Sequence, residues 1–286
     1  MMISGFTIVR NAVELDFPVV ESLRSILPIC DEVVVNIGRS TDQTLELVRS
    51  IDDPKIRIVE TEWNFAAGES VLRDETLRAM RACRHPWGIY IQADEVLHES
   101  GAAALRDAIL TARPEVEGVV VKYRHLFGSP ATEAVNRRWY RREVRAVRLD
   151  PAREVHPYRD AQGFRVGPAN RRIKARLAGA EMFHYGYTRS AAALRGRATI
   201  DRSLYPNRPD YEFDRAVLRW FPGIRPFVGT HPAVAREWVE RHAFDPERRI
   251  TAPEFGWEHL RFHASDLVER LTGTRIFEFR NYELTG

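Results

Sequence analysis

Cysteine and lysine are almost missing from this chain, and no long apolar run interrupts it. Two cysteines, Cys30 and Cys83, cannot build a cysteine-rich zinc site or a disulfide framework. Both stand in apolar surroundings and read as reduced core residues, which points to the cytoplasm. No stretch reaches the roughly 18 apolar residues of a transmembrane helix. The start, Met1-Met-Ile-Ser-Gly-Phe6, has no charged region followed by an apolar one, so no signal peptide is expected. Of 43 basic residues only Lys55, Lys122 and Lys174 are lysines. Acidic residues are interspersed with the arginines nearly everywhere, and no reading motif for nucleic acid appears, so no nucleic-acid partner is expected. Internal repeats and low-complexity tracts are absent too.

What is present is enough for a folded core. The 286 residues are 44% hydrophobic and 29% charged, the balance of a folded soluble protein. The first part alternates strand and helix. Strands are predicted at Gly5 to Arg10, Glu32 to Asn36, Lys55 to Thr61, Trp87 to Gln92 and Gly118 to Arg124. Helices are predicted at Asp16 to Leu27, after Ser40, at Glu69 to Cys83 and at Ser100 to Arg113. Ser40 with Gln43 fits a capping box. Single helices between strands mean βαβ units, so the first roughly 125 residues are expected to form a doubly wound, mainly parallel α/β sheet. Beyond Phe127 the pattern changes. Arg137 to Leu149 alternates like a strand or hairpin, and Pro151 to Gly167 reads as loop. Helices follow at Ser190 to Leu204, Asp214 to Trp220, Pro232 to Arg241 and Trp257 to Leu271, with an extended end at Ile276 to Leu284. Trp238, Trp257 and Phe262 stand at helical spacings and are expected in the core. No Gly/Ser linker separates the halves.

The segment Trp87-Gly-Ile-Tyr-Ile-Gln-Ala-Asp-Glu95 carries the most chemistry. A buried strand ends in two carboxylates, Asp94 and Glu95. In an open parallel sheet, ligands bind beyond the carboxyl ends of the strands. Carboxylates there can hold a divalent cation, and the cation a diphosphate. The ordinary alternative is a strand-end turn with solvated acids. Asn36-Ile-Gly-Arg-Ser-Thr-Asp42 is a strand end, a glycine turn and a helix start. Gly38 would let a backbone approach a nucleotide, and the helix start offers free N–H groups. An ordinary βα loop looks the same.

Three motifs occur in order: Phe6-Thr-Ile-Val-Arg-Asn11, Asn36-x-x-x-Ser-Thr-Asp-x-Thr44 and Gln92-Ala-Asp-Glu95. Together they resemble the family-2-like glycosyltransferases, which have the GT-A fold, over residues 3–130. Tyr158-Arg-Asp-Ala-Gln-Gly-Phe164 to His184-Tyr-Gly-Tyr187 resembles a branch of the same proteins. The resemblance implies a nucleotide-sugar-binding half at 1–130 and an acceptor-side, helical half at 131–286, continuous with it. It implies transfer of a sugar from a nucleoside diphosphate sugar to an acceptor hydroxyl on a saccharide, lipid carrier, protein or small molecule. It implies Mn²⁺ or Mg²⁺ held by Asp94 with Glu95 or His184, and a nucleoside pocket shaped by Asn11, Asn36, Gly38, Asp42, Trp63 and Gln92. Two positions depart from the family, which has Asp where Asn36 and Gln92 stand. Asp160 is the first choice of base, with Glu154 behind it, and His125 and Phe127 are candidates to stack on the acceptor. Asp160 in an Asx-turn and a core-facing Phe127 are the plain alternatives. A non-catalytic nucleotide- or sugar-binding protein of the same fold is the alternative function.

Overall fold

The structure is a computed structural model of the chain and describes residues 1–205, 216–253, 256–273, 275 and 278–285. Along the first half run β1 (Ile3–Val9), α1 (Val19–Ile26), β2 (Glu32–Gly38), α2 (Thr44–Arg49), β3 (Ile56–Thr61), α3 (Ser70–Ala82), β4 (Trp87–Tyr90), β5 (Glu95–Leu97), α4 (Glu99–Leu110) and β6 (Gly118–Phe127). The second half adds β7 (Ser129–Ala134), β8 (Arg142–Arg148), β9 (Val155–Tyr158), β10 (Gly163–Val166), β11 (Ile173–Tyr187), α5 (Ala191–Leu204), α6 (Arg236–Arg241) and α7 (Trp257–Thr272).

The expected α/β sheet is present. Strands β3, β2, β1 and β4 lie side by side in that order and all run parallel. Antiparallel β8 follows β4, then β6 follows β8, and β11 joins β6 in parallel. Side chains alternate between the faces, as strand geometry requires. Ile3, Val9, Val33, Val35, Ile37 and Ile89 pack with α1, α2 and α4. Phe6, Val34 and Tyr90 point the other way, towards α3 and the β9–β10 hairpin. Both faces are therefore covered, which is why these strands are apolar throughout rather than alternating. No helix among the described residues is long and apolar enough to cross a membrane.

Several local expectations change. Residues 151–167 were expected as loop, and they hold the β9–β10 hairpin. Each strand is only four residues, too short for a pattern, and Pro157 suits a two-stranded ribbon whose outer edge needs no donor. The long β11 was missed because Ile-Lys-Ala-Arg-Leu-Ala-Gly-Ala at its start is poor in β-branched residues. The helix expected at Asp214 to Trp220 begins outside the described residues, and Val217–Leu218 pairs as a strand with Arg249–Ile250. Residues 276 and 277 of the expected final strand also lie outside the described residues, while Tyr282–Leu284 pairs with β11. Trp238 and Phe262 are buried as expected, but Trp257 is 79% exposed. The capping box is replaced as well. Helix α2 starts at Thr44, whose N–H is taken by Asp42 at 3.1 Å, and the Ser40 hydroxyl donates to the Gly38 carbonyl.

One polar pair ties the second half to the β1–α1 loop. Asp16 accepts the Ser190 N–H at 2.9 Å and His242 Nε2–H at 2.7 Å. His242 Nδ1–H donates to the Trp238 carbonyl at 2.6 Å, and its ring stacks on Trp238. Both ring nitrogens face oxygens that accept, the Trp238 carbonyl and the Asp16 carboxylate. Burial works to raise the Asp16 pKa, but His242 and Ser190 hold it down at about 2. A folded pKa below the unfolded value of about 3.9 gives stability that is complete above pH 4. It is lost as pH falls from about 4 to 2. Urea titrations should show the wild type losing on the order of 2 kcal/mol more than Asp16→Asn across that window.

Candidate active site

The chain leaves β1 to form β2 and β3 on one side, then returns to place β4 on the other. The carboxyl ends of β1 and β4 thus flank the topological switch point, where open α/β sheets hold ligands. Past β4 comes Ile91-Gln92-Ala93-Asp94, and here two neighbouring carboxylates part company.

Glu95 is not a metal ligand. Its side chain is fully buried and both oxygens are taken. Arg145 grips it with two hydrogen bonds, Nε to Oε2 at 2.9 Å and Nη2 to Oε1 at 2.7 Å. The Tyr123 hydroxyl donates at 2.6 Å and the Gln92 N–H at 3.1 Å. Four donors on one buried carboxylate leave nothing for a cation. Arg145 is fully buried between the Tyr90 and Tyr123 rings.

Asp94 points into the crevice, and strand register brings His184 to it. His184 lies in β11 rather than at the end of a helix. Antiparallel pairing of β5 with β11 sets His184 opposite Glu95, and parallel pairing with β6 sets it beside His125. His184 Nε2 comes to 3.5 Å from Asp94 Oδ2, with both side chains partly open at 13% and 17%. Burial alone would raise the Asp94 pKa. His184, then Arg189 and Arg197, hold it well below the carboxylate range, so it stays ionised.

The far side of His184 fixes its tautomer. His125 Nε2 lies 2.8 Å from the Tyr140 carbonyl, which only accepts, so that nitrogen carries the hydrogen. Burial, then His184, pull the His125 pKa down to about 3, so its Nδ1 is a bare lone pair. His184 Nδ1, 3.5 Å from it, must then be the donor. The remaining nitrogen, Nε2, faces Asp94. With a proton on Nε2 the two groups form an ion pair, and a divalent cation held by both would take that proton's place. Gly186 keeps that space open. A Cβ there would stand 2.7 Å from His184 Nε2 and 2.8 Å from Asp94 Oδ2. A carboxylate and an imidazole suit Mn²⁺ or Mg²⁺, with substrate oxygens completing the shell. Among the described residues no third acidic, His or Cys ligand joins them.

The nucleoside side is more built up than the sequence implied. Asn11, at φ 50°, donates to Glu14 and Thr41 and accepts the Thr41 N–H, which locks the loops after β1 and β2 together. Asp42 pins the same loops through the Glu14 N–H at 2.8 Å. Asn36 is fully buried, donating to Glu75 and accepting from Thr61, so it supports the floor and cannot reach a ligand. Gly38 makes room for the Trp63 indole, 2.6 Å from its would-be Cβ, rather than for a ligand. A cavity of about 430 Å³ opens beside Gly38 and Asp42 at the ends of β2 and β3. Glu46, Glu60 and Glu62 also line it, which suits a base or ribose better than phosphates. Gln92 sits between, its carbonyl accepting from Ser22.

Asp160 lies in the β9–β10 turn and lines a second cavity of about 260 Å³. The Tyr205 hydroxyl donates to its Oδ2 at 3.2 Å. That turn is held by Arg145, whose Nη1 donates to the Gln162 carbonyl at 2.9 Å. Glu154 stands at the opposite end of β9, about 13 Å away at ~3.3 Å per residue, and cannot share the base's role. Phe127 is buried among Trp139, Tyr187 and Phe221, and His125 is buried beneath His184, so neither stacks on an acceptor. Sequence reasoning missed Gly186, Arg189 and Arg197. The run His184-Tyr-Gly186 was in view, but only the register of three strands shows what the glycine spares.

No family model matches this sequence, and no curated protein does. Among solved structures, residues 1–349 of TarS from S. aureus superpose with a TM-score of 0.40 at 14% identity, covering 70% of this chain and 65% of that one. The same fragment in complex with UDP-GlcNAc gives 0.38 at 17%, covering 56% and 49%. Glucosyl-3-phosphoglycerate synthase from Mycobacterium tuberculosis, in complex with Mn²⁺, UDP and phosphoglyceric acid, gives 0.32 at 19%, covering 43% of each chain. The chain spans less than two thirds of the length of each of these three.

Cutting the buried pair should cost stability before it costs chemistry. Glu95→Gln leaves Arg145 charged and buried, and chemical denaturation should show a loss of about 3–5 kcal/mol. Glu62→Gln, which breaks an exposed pair with Arg39, should change it by less than about 0.5 kcal/mol.

Proposed function

We propose that this chain is a GT-A-type glycosyltransferase, moving a sugar from a nucleoside diphosphate sugar to an acceptor hydroxyl. The observation that carries the reading is the gap bounded by Asp94 Oδ2, His184 Nε2 and Gly186 at the switch point. A carboxylate oxygen and an imidazole nitrogen stand 3.5 Å apart there, with no Cβ between them and with Arg189 and Arg197 near enough to hold Asp94 ionised. Its place after the fourth strand agrees with the motif resemblance at Gln92-Ala-Asp-Glu95.

In this reading Asp94 and His184 would hold Mn²⁺ or Mg²⁺, and His125 would orient His184. The cation, when bound, supplies positive charge to the departing diphosphate. The acidic cavity beside Gly38 and Asp42 would take the nucleoside, with Trp63 over the end of β2. Asp160 would act as base. Its Oδ2 is taken by Tyr205, which leaves Oδ1 for the acceptor proton. The acceptor oxygen forms a bond to the anomeric carbon, the bond from that carbon to the diphosphate breaks, and the hydroxyl proton passes to Asp160. Attack from the side opposite the diphosphate would invert the anomeric centre. The free Cys30 and Cys83 support placing this activity in the cytoplasm.

Calorimetric titration of UDP, GDP and dTDP with and without Mn²⁺ tests the reading. One nucleotide should bind in a metal-dependent way, and Asp94→Ala should weaken it about tenfold or more. Gly186→Ala should do the same, because its methyl group occupies the gap. Metal-independent binding that survives both changes would instead mark a non-catalytic binding protein of this fold.

A further inference from the structure

The cavity around Asp160 is built for an anion, and the reaction proposed above gives no reason for one. It lies between residues 137–140, the β9–β10 turn and residues 278–281, with Arg137, Arg138 and Arg159 along its wall. Arg141 and Arg280 both hold Glu278, so the one glutamate in the wall is already neutralised. Arg138 and Arg159 pair with no carboxylate among the described residues. Aromatic faces position them instead: the Arg138 guanidinium lies 5.9 Å from the Phe221 ring centre, and the Arg159 guanidinium 5.3 Å from that of Tyr158. An arginine held by its face keeps its N–H edges free, and those edges match the paired oxygens of a phosphate or carboxylate.

Two further polar atoms in the wall have no partner. The Trp139 indole N–H is buried without an acceptor, and Asn281 Oδ1 is buried without a donor. Asn281 is 3% exposed, and its amide nitrogen is taken by Glu143 at 2.7 Å. Both atoms are closed to solvent and lie behind the cavity surface. A molecule with an anionic end and a hydroxyl end fits the open wall itself: its oxygens would meet Arg138 and Arg159, and its hydroxyl Asp160. At about 260 Å³ the cavity takes a small headgroup, below the usual range for drug-sized ligands.

We infer that this cavity is the acceptor site, and that the acceptor is a small hydroxyl compound, or the end of a larger one, carrying a phosphate or carboxylate. The inference rests on the glycosyltransferase reading for the word acceptor, but its test does not. Calorimetry with glycerol 3-phosphate, glycerate and glycerol separates phosphate, carboxylate and neutral probes. One anionic probe should bind and glycerol should not. The double variant Arg138→Gln with Arg159→Gln should weaken that binding about tenfold or more while leaving metal-dependent UDP binding in place. Should the double variant not fold, either single change should weaken the anionic probe in the same direction. Equal binding of glycerol and glycerol 3-phosphate, or no loss in the variants, would overturn the inference. So would displacement of the anionic probe by UDP, because the arginines would then serve the donor's diphosphate. An anionic probe that binds here to a protein unable to bind any nucleotide would leave this site standing and refute the transferase reading.

Discussion

The buried contact between Glu95 and Arg145 is the constraint on which the site depends. Alone, either charge would be costly at zero exposure, and together they are matched by a bidentate fork, a tyrosine hydroxyl and a backbone N–H. The pair also joins elements far apart in sequence. Glu95 opens β5, Arg145 stands mid-way along β8, Tyr123 lies in β6, and the third Arg145 nitrogen, Nη1, reaches the turn that carries Asp160. The segments that carry Asp94 and Asp160 are thus indexed to one guanidinium.

Because Glu95 is committed inward, Asp94 is turned outward. Asp94 lies in the turn closed by the Glu95 N–H on the Gln92 carbonyl at 3.0 Å, so anchoring Glu95 also fixes the turn that carries Asp94. Strand register places His184. Its neighbours on β5 and β6 are set by two ladders of backbone hydrogen bonds, not by the side chains that use the result. His125 then determines which ring nitrogen faces Asp94, and Gly186 keeps the intervening space free of a methyl group. Asp94 from the turn before β5, with His184 and Gly186 from β11, makes a notch that neither segment makes alone.

The sequence carried the parallel sheet well, since β-branched runs such as Glu32-Val-Val-Val-Asn36 fit little else. It also carried the position of Asp94, because a strand end is a local property. It did not separate Asp94 from Glu95. That difference lies in Arg145, fifty residues away and hidden in a stretch that looked like a charged surface. Asn36 and Asp42 were seen as ligand contacts because they follow a strand and precede a helix. In the structure their capacity is spent on Glu75, Thr61 and the neighbouring loop. Short polar side chains at a βα turn have both uses, and only the partner distinguishes them. Glu154 stood behind Asp160 as a base within what read as one loop, and a four-residue strand puts the two at opposite ends of a hairpin.

The most direct test of the central claim is a crystal grown with Mn²⁺ and UDP, with diffraction recorded at the manganese absorption edge. The account predicts one anomalous peak about 2.0–2.3 Å from both Asp94 Oδ2 and His184 Nε2, with Glu95 still bound to Arg145. A peak elsewhere, or nucleotide bound in the crevice with no peak at that notch, would contradict it.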